Sequence, residues 1–139
     1  FKELLTRSDL AGRVTLLSEM RDTMGFMLKV VGADPENFSD DEWGNALDEL
    51  SKSVKSGQIR AFTGNEYSQD LAAGNILACE AWSGDVIQLQ FENPDIKFVF
   101  PEEGVSLWSD NMVLPNLTTH QANAERWIDY YYEPSVAVM

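Results

Sequence analysis

The chain has one cysteine, one histidine and only 10 lysines and arginines against 23 acidic residues. Each scarcity excludes something. A single thiol, Cys79, excludes an internal disulfide. A single imidazole, His120, provides no multi-histidine metal site and no reason to assign an acid–base role. With a net charge of −13, the chain lacks the basic side chains that neutralise phosphates, so no nucleic-acid partner is expected. No apolar run approaches the roughly 18 residues of a membrane span. Phe1-Lys-Glu-Leu-Leu5 has no signal-peptide layout. The chain starts without Met and reads as a fragment.

What is present is a globular composition. A length of 139 residues, 44% hydrophobic and 11% aromatic, suffices for one domain with one core. The acidic balance steers cations toward the surface, although solubility alone also accounts for it. Cys79 lies in the apolar run Ile76-Leu-Ala-Cys-Glu-Ala-Trp82. It reads as a small buried hydrophobe rather than a nucleophile.

Strands and helices alternate. Val14-Thr-Leu-Leu17 predicts a short buried strand after the turn residue Gly12. Met20, Met24, Met27, Leu28 and Val31 recur at helical spacing up to Gly32. Ser39-Asp-Asp-Glu42 is a capping box. The helix it opens places Trp43, Ala46, Leu47, Leu50 and Val54 on one face and stops at Gly57. Its acids, Asp40, Asp41 and Glu42, suit a helix N-terminus and lack calcium-loop spacing. Ile59–Thr63 predicts a strand, and Thr63-Gly-Asn-Glu66 resembles a second cap before a short helix to Gly74. Ile76–Trp82 is the strongest strand signal, followed by a helix from a Ser83 cap to Phe91. Ile96–Phe100 predicts a strand, and Trp108–Leu114 an extended segment. Thr118 and Gln121 make a third capping box. The helix it opens, to about Glu133, is expected to bury Ala122, Trp127, Ile128 and Tyr131. Ser135–Met139 reads as the start of a further element. The fold class expected is α/β, with a central, mostly parallel sheet flanked by helices.

Such sheets place ligands beyond the carboxyl ends of their strands. Three segments fall there: Ser18-Glu-Met-Arg-Asp22, Ala81-Trp-Ser-Gly-Asp85 and Leu107-Trp-Ser-Asp110. Glu19 and Asp22 are three apart at a predicted helix start, and a bound ammonium would complete their charge. The helix dipole repels a cation there, so the acids must outweigh it. The plainer reading is a cap with a first-turn acid, and Arg21 between them is a possible ion-pair partner. Trp82 and Trp108 each precede an acid, Asp85 and Asp110. An aromatic face attracts an alkylammonium by roughly 0.5–2 kcal/mol, while ordinary core packing is the alternative for each Trp. Acid and flat π surface together suit an elongated organic cation.

Other chemistries find less. Tyr130-Tyr-Tyr132 supplies phenolates for ferric iron, but neighbouring residues on a helix point in different directions. Ser83-Gly84 lacks the nucleophile elbow of a hydrolase. Glu19 with Asp110 is the one carboxylate pair to entertain for a glycosidase. No phosphate loop or dinucleotide fingerprint is present.

Taken in order, Val14–Gly25, Phe62-Thr-Gly-Asn-Glu-Tyr67, Ala81–Val86, Pro101-Glu-Glu-Gly104 with Leu107–Asn111, and Pro134-Ser-Val-Ala137 resemble the polyamine-type (spermidine/putrescine) solute-binding proteins of ABC importers. The resemblance implies residues 1–139 as a single periplasmic-binding-protein-like lobe. The missing N-terminal lobe and an ABC permease in the membrane would be its partners, and the location periplasmic or extracellular. The family's chain crosses between lobes more than once, so the stretch after about Asn111 is a candidate for the other lobe. Glu19 and Asp22 would face one amino end of the ligand, Trp82 and Trp108 would flank its methylenes, and Asp110 would hold another amine. Glu19 stands where Asp is expected and Asp22 where Glu is expected, so charge is kept while side-chain length is exchanged. The resemblance implies no enzyme activity and no cofactor. The competing readings are a receptor of this fold for a quaternary amine, ferric iron or an anion, a carboxylate-based hydrolase, and an acidic protein-interaction domain.

Overall fold

Val14-Thr-Leu-Leu17 is buried at all four positions and forms β1 (Val14–Leu17), the centre of the sheet. The computed structural model describes residues 1–138. Among these, β1 pairs in parallel with β2 (Ile59–Thr63) on one side and β3 (Ala78–Cys79) on the other. Leu17 lies opposite Thr63, and Thr15 opposite Cys79. A strand with parallel neighbours on both sides needs apolar residues on both faces, which is why this run does not alternate.

Parallel neighbours also need crossover connections. Helices α2 (Met20–Val30) and α3 (Asp40–Lys55) carry the chain from β1 to β2, and α4 (Tyr67–Ala72) from β2 to β3. Val14 and Leu16 pack on one face with Met24, Met27, Leu28, Ala46, Leu50 and Ile59. Leu17 packs on the other with Tyr67 and Ile76, backed by Leu71, Cys79, Ala81 and Trp82. The first cluster also takes Leu5 and Leu10, from α1 (Lys2–Thr6) and the 3₁₀ turn Ser8–Leu10. Gln58 fastens this N-terminal piece: its Nε2 donates to the carbonyls of Leu4 and Arg7, both at 2.9 Å.

The Ser39 capping box is present in both directions. Ser39 Oγ accepts from the Glu42 N–H, and the Ser39 N–H donates to Glu42 Oε2 at 2.8 Å. That bond and the Ser39 hydroxyl hold the Glu42 carboxyl below its usual range. Of the face expected to be buried, Ala46 and Leu50 reach the core while Leu47 and Val54 stay exposed. Gly32 and Gly57 close α2 and α3 at φ +85° and +77°, a region open to glycine without strain.

The other two caps are not formed. The N-cap of α4 is Glu66, with no side-chain bond. Helix α6 (Gln121–Tyr131) starts after His120. Thr118 Oγ1 takes the His120 N–H at 3.3 Å, and the Gln121 side chain turns forward to Glu125 at 2.7 Å. Local side-chain bonds have displaced the cap. Ser83 lies inside α5 (Ser83–Glu92), whose N-cap is Trp82. Ile96–Phe100 joins no ladder; the Ile96 carbonyl is satisfied by Gln90 Nε2 at 2.9 Å instead.

The chain divides into two compact units, the first Phe1–Ser106 and the second from Leu107 onward. The second contains α6 and a short α7 (Pro134–Ala137) with proline in its first turn. Met139, the last residue of the element expected there, lies outside the described residues. The apolar face of α6 is not buried as expected: Trp127 is 65% exposed and Tyr131 52%. Met112, Val113 and Leu114 line a shallow depression with Ala124, Trp127 and Ile128.

Ser39→Ala removes one acceptor from the start of α3 and is expected to cost about 1 kcal/mol, read from urea unfolding. Ser39→Asp should retain most of the stability.

Candidate binding site at the strand ends

Parallel pairing sends the carboxyl ends of β1, β2 and β3 to one edge of the sheet, and three connections leave from it: Ser18–Glu19, Gly64–Glu66 and Glu80–Trp82. The Ser18 N–H donates to the Thr63 carbonyl at 2.8 Å, so the first two stay side by side beyond the last paired residues.

Glu19 is the N-cap of α2 and is exposed; its carbonyl accepts the Thr23 N–H at 3.2 Å while its carboxylate makes no capping bond. Asp22 is half-buried in the first turn. They therefore share the helix start, though Glu19 stands outside the helix proper. Among the described residues neither acid has an ion-pair partner within 4 Å, and Arg21 pairs with neither.

Trp82 is half-buried at the start of α5, packed against the Leu17–Tyr67–Ile76 cluster. Its backbone N–H would ordinarily look for a local cap. Tyr67, fully buried, reaches across from α4 and accepts that N–H at 3.0 Å, while its own hydroxyl donates to Asp85 Oδ2 at 2.5 Å. Burial, with Asp85 next, pushes the Tyr67 hydroxyl above the usual phenol range, so it remains a donor. Asp85 also borders a small depression with Asn65, Ser68, Gln88, Leu89 and Glu92.

Glu80 is the residue that pattern reading passed over. It is 7% exposed. Its Oε2 lies 3.0 Å from the Leu17 nitrogen, which donates to it, and 2.7 Å from Thr23 Oγ1. The Leu17 N–H is the donor that would continue the β1–β3 ladder past Thr15, where the Glu80 N–H is bound. The Glu80 side chain takes it instead, which explains why the long Ile76–Trp82 strand signal yields a two-residue strand. Burial above all, with a contribution from Asp22, raises the Glu80 carboxyl above the usual carboxylate range, against the lowering effect of Thr23 and Leu17. A signal existed: Glu80 is the one charged residue inside an otherwise apolar run. Cys79 beside it is pushed up to about 12, chiefly by burial, and stays a neutral thiol.

Of the five predicted site residues, Glu19, Asp22 and Trp82 stand at the strand-end edge of the first unit. Trp108 and Asp110 are exposed residues of the second unit.

The chain matches, over residues 1–138, the family model described as bacterial extracellular solute-binding protein. It belongs to that family. It is 25% identical over 126 residues to the spermidine/putrescine-binding periplasmic protein 1 of Haemophilus influenzae, covering 91% of this chain and 34% of that protein. It is 29% identical over 130 residues to the putrescine-binding periplasmic protein PotF of Escherichia coli, covering 88% of this chain and 35% of PotF. Among solved structures, a putative spermidine/putrescine ABC transporter from Listeria monocytogenes superimposes with a TM-score of 0.87 at 26% identity, over 98% of this chain and 41% of that one. The α/β architecture expected from the sequence is thus that of the family, and the chain spans about a third of the length of the curated relatives. No helix among the described residues is long and apolar enough to cross a membrane.

Tyr67→Phe leaves the Trp82 N–H without its acceptor and Asp85 without its donor. The expected cost is about 1–3 kcal/mol, measured as a lowered urea midpoint. Thr63→Val, beside the same edge, removes a hydroxyl that has no partner and should cost less.

Proposed function

We propose that this chain is part of the ligand-binding component of an ABC importer, and that its ligand is a polyamine such as putrescine or spermidine. The observation that carries the reading is the pair Glu19 and Asp22: two carboxylates without ion-pair partners among the described residues, at the same strand-end edge as the half-buried Trp82. Two negative charges without counter-ions at a helix start are completed by an ammonium group. The resemblance puts Trp82 beside the ligand's methylenes, where an aromatic ring attracts an alkylammonium. The names of the relatives support the same ligand class.

Trp108 and Asp110 enter the proposal through the sequence resemblance alone, as the flank and anchor of a second amine. The stretch after about Asn111 is assigned, as the resemblance implies, to the other lobe of the complete receptor. A periplasmic or extracellular location, delivery to a membrane permease, and a binding rather than enzymatic role complete the reading.

Calorimetric titration of the complete receptor with putrescine and spermidine tests it, with lysine and choline as controls. Selective binding of the polyamines is the expected result. Asp22→Asn and Asp110→Asn should each weaken it by roughly 1.5–3 kcal/mol, the scale of a charge-assisted hydrogen bond. Binding of choline alone would move the ligand to a quaternary amine, and unchanged affinity in a variant would remove that residue from the site.

A further inference from the structure

Glu80 lies under the proposed cation site and has no role in it so far. Three observations define its state. First, its carboxyl is buried, and Oε1 has no hydrogen-bond partner. An ionised oxygen in that position carries charge with nothing to compensate it, whereas the carbonyl oxygen of a neutral acid costs far less to bury. Second, the hydrogen bonds around Thr23 have to be counted. Thr23 Oγ1 lies 2.7 Å from the Leu17 carbonyl and 2.7 Å from Glu80 Oε2. A hydroxyl has one proton. If it donates to Leu17, the second short contact is a hydrogen bond only when the Glu80 carboxyl carries a proton and donates to Thr23 Oγ1. Third, the charged group acting on Glu80 from α2 is Asp22; β1 contributes only the Leu17 N–H, and its neighbour on β3, Cys79, is a neutral thiol. A second negative charge beside Asp22 is opposed until a cation arrives.

We propose that Glu80 holds a proton in the ligand-free receptor and releases it when an ammonium binds at Asp22. The O–H bond of the carboxyl breaks, the electron pair stays on Glu80, and the proton passes to solvent and its buffer. The Thr23 hydroxyl then turns from Leu17 to the new carboxylate. Glu80 is a positioning residue: it acts on the ligand through Asp22 and Thr23, and it adds a negative charge under the site only when a cation is present to balance it. A neutral ligand gains nothing from it, which makes the device selective for charge. The raised carboxyl range of Glu80 in the empty site agrees with this order of events. The sign follows: a group that loses its proton on binding makes affinity rise with pH across the interval between its empty and occupied states, by up to about tenfold per pH unit.

This inference rests on the polyamine reading, and the test separates the two. The complete receptor is titrated with putrescine in buffers of different ionisation enthalpy across a pH series. Infrared difference spectra, with and without putrescine, follow the protonated-carboxyl band. Wild type should release a fraction of a proton approaching one, and lose the band on binding. Glu80→Gln keeps an oxygen acceptor for the Leu17 N–H but cannot titrate, so it should release none and show a flat affinity profile. Binding without proton release, or the same release from Glu80→Gln, would overturn the proposal. The spectra of the wild-type protein decide the matter on their own if the variant fails to fold: a band absent from the empty receptor also overturns it. A receptor that binds no amine overturns the polyamine reading, and the release step with it, while a band that Glu80→Gln lacks would still place the proton on Glu80.

Discussion

Parallel pairing of β1 with both of its neighbours is the constraint on which the rest depends. It buries Val14–Leu17 on both faces, requires helical crossovers on the way to β2 and β3, and brings three carboxyl-terminal strand ends to one edge. Residues far apart in the chain, Glu19, Asp22 and Trp82, reach that edge because the connections after β1 and β3 both begin there. The helix starts that follow also begin there, so the edge carries the positive ends of α2 and α5. The acids at those starts, Glu19, Asp22 and Asp85, are what the proposed cation site sets against that field.

That edge is held by polar side chains working in place of backbone. The Glu80 carboxyl ends the β1–β3 ladder by taking the Leu17 N–H, and links β1 to α2 through Thr23. The Tyr67 hydroxyl serves the start of α5 from α4, binding both the Trp82 N–H and Asp85. Each is a buried group with few ways to be satisfied, so each fixes geometry strongly. The two proposed ligand-facing elements, the start of α2 and the start of α5, are therefore each tied to a neighbouring element at the sheet edge.

Much of this was legible in the residues. The buried run of β1, the helix of Met20–Val30, the Ser39 capping box and the strand Ile59–Thr63 all rest on local signals: apolar periodicity, a cap and closing glycines. The Thr118 cap failed because its hydroxyl makes a competing local bond with His120, and the Thr63 cap because the helix starts three residues later, after Glu66. The strand at Ile76–Trp82 was overestimated because its end is decided by a contact 63 residues away in sequence, invisible to any window. The burial expected for α6 failed although its periodicity was correct: Trp127 and Tyr131 meet neighbouring rings of the same segment, Tyr130 and Tyr132, and stay more than half exposed. At the site, the exposed acids and the Trp were findable from their places after strand signals. Tyr67 was not, and Glu80 only as the charged residue of an apolar run, since the roles of both are set by which strand end each one meets.

The sheet edge at Glu19, Asp22 and Trp82 is proposed to receive a cation. A crystal structure of the complete receptor grown with putrescine tests it most directly. One ammonium is expected within hydrogen-bonding distance of Asp22 or Glu19, with the adjoining methylenes against the Trp82 ring. Putrescine held elsewhere, with Glu19 and Asp22 left to solvent, would contradict it.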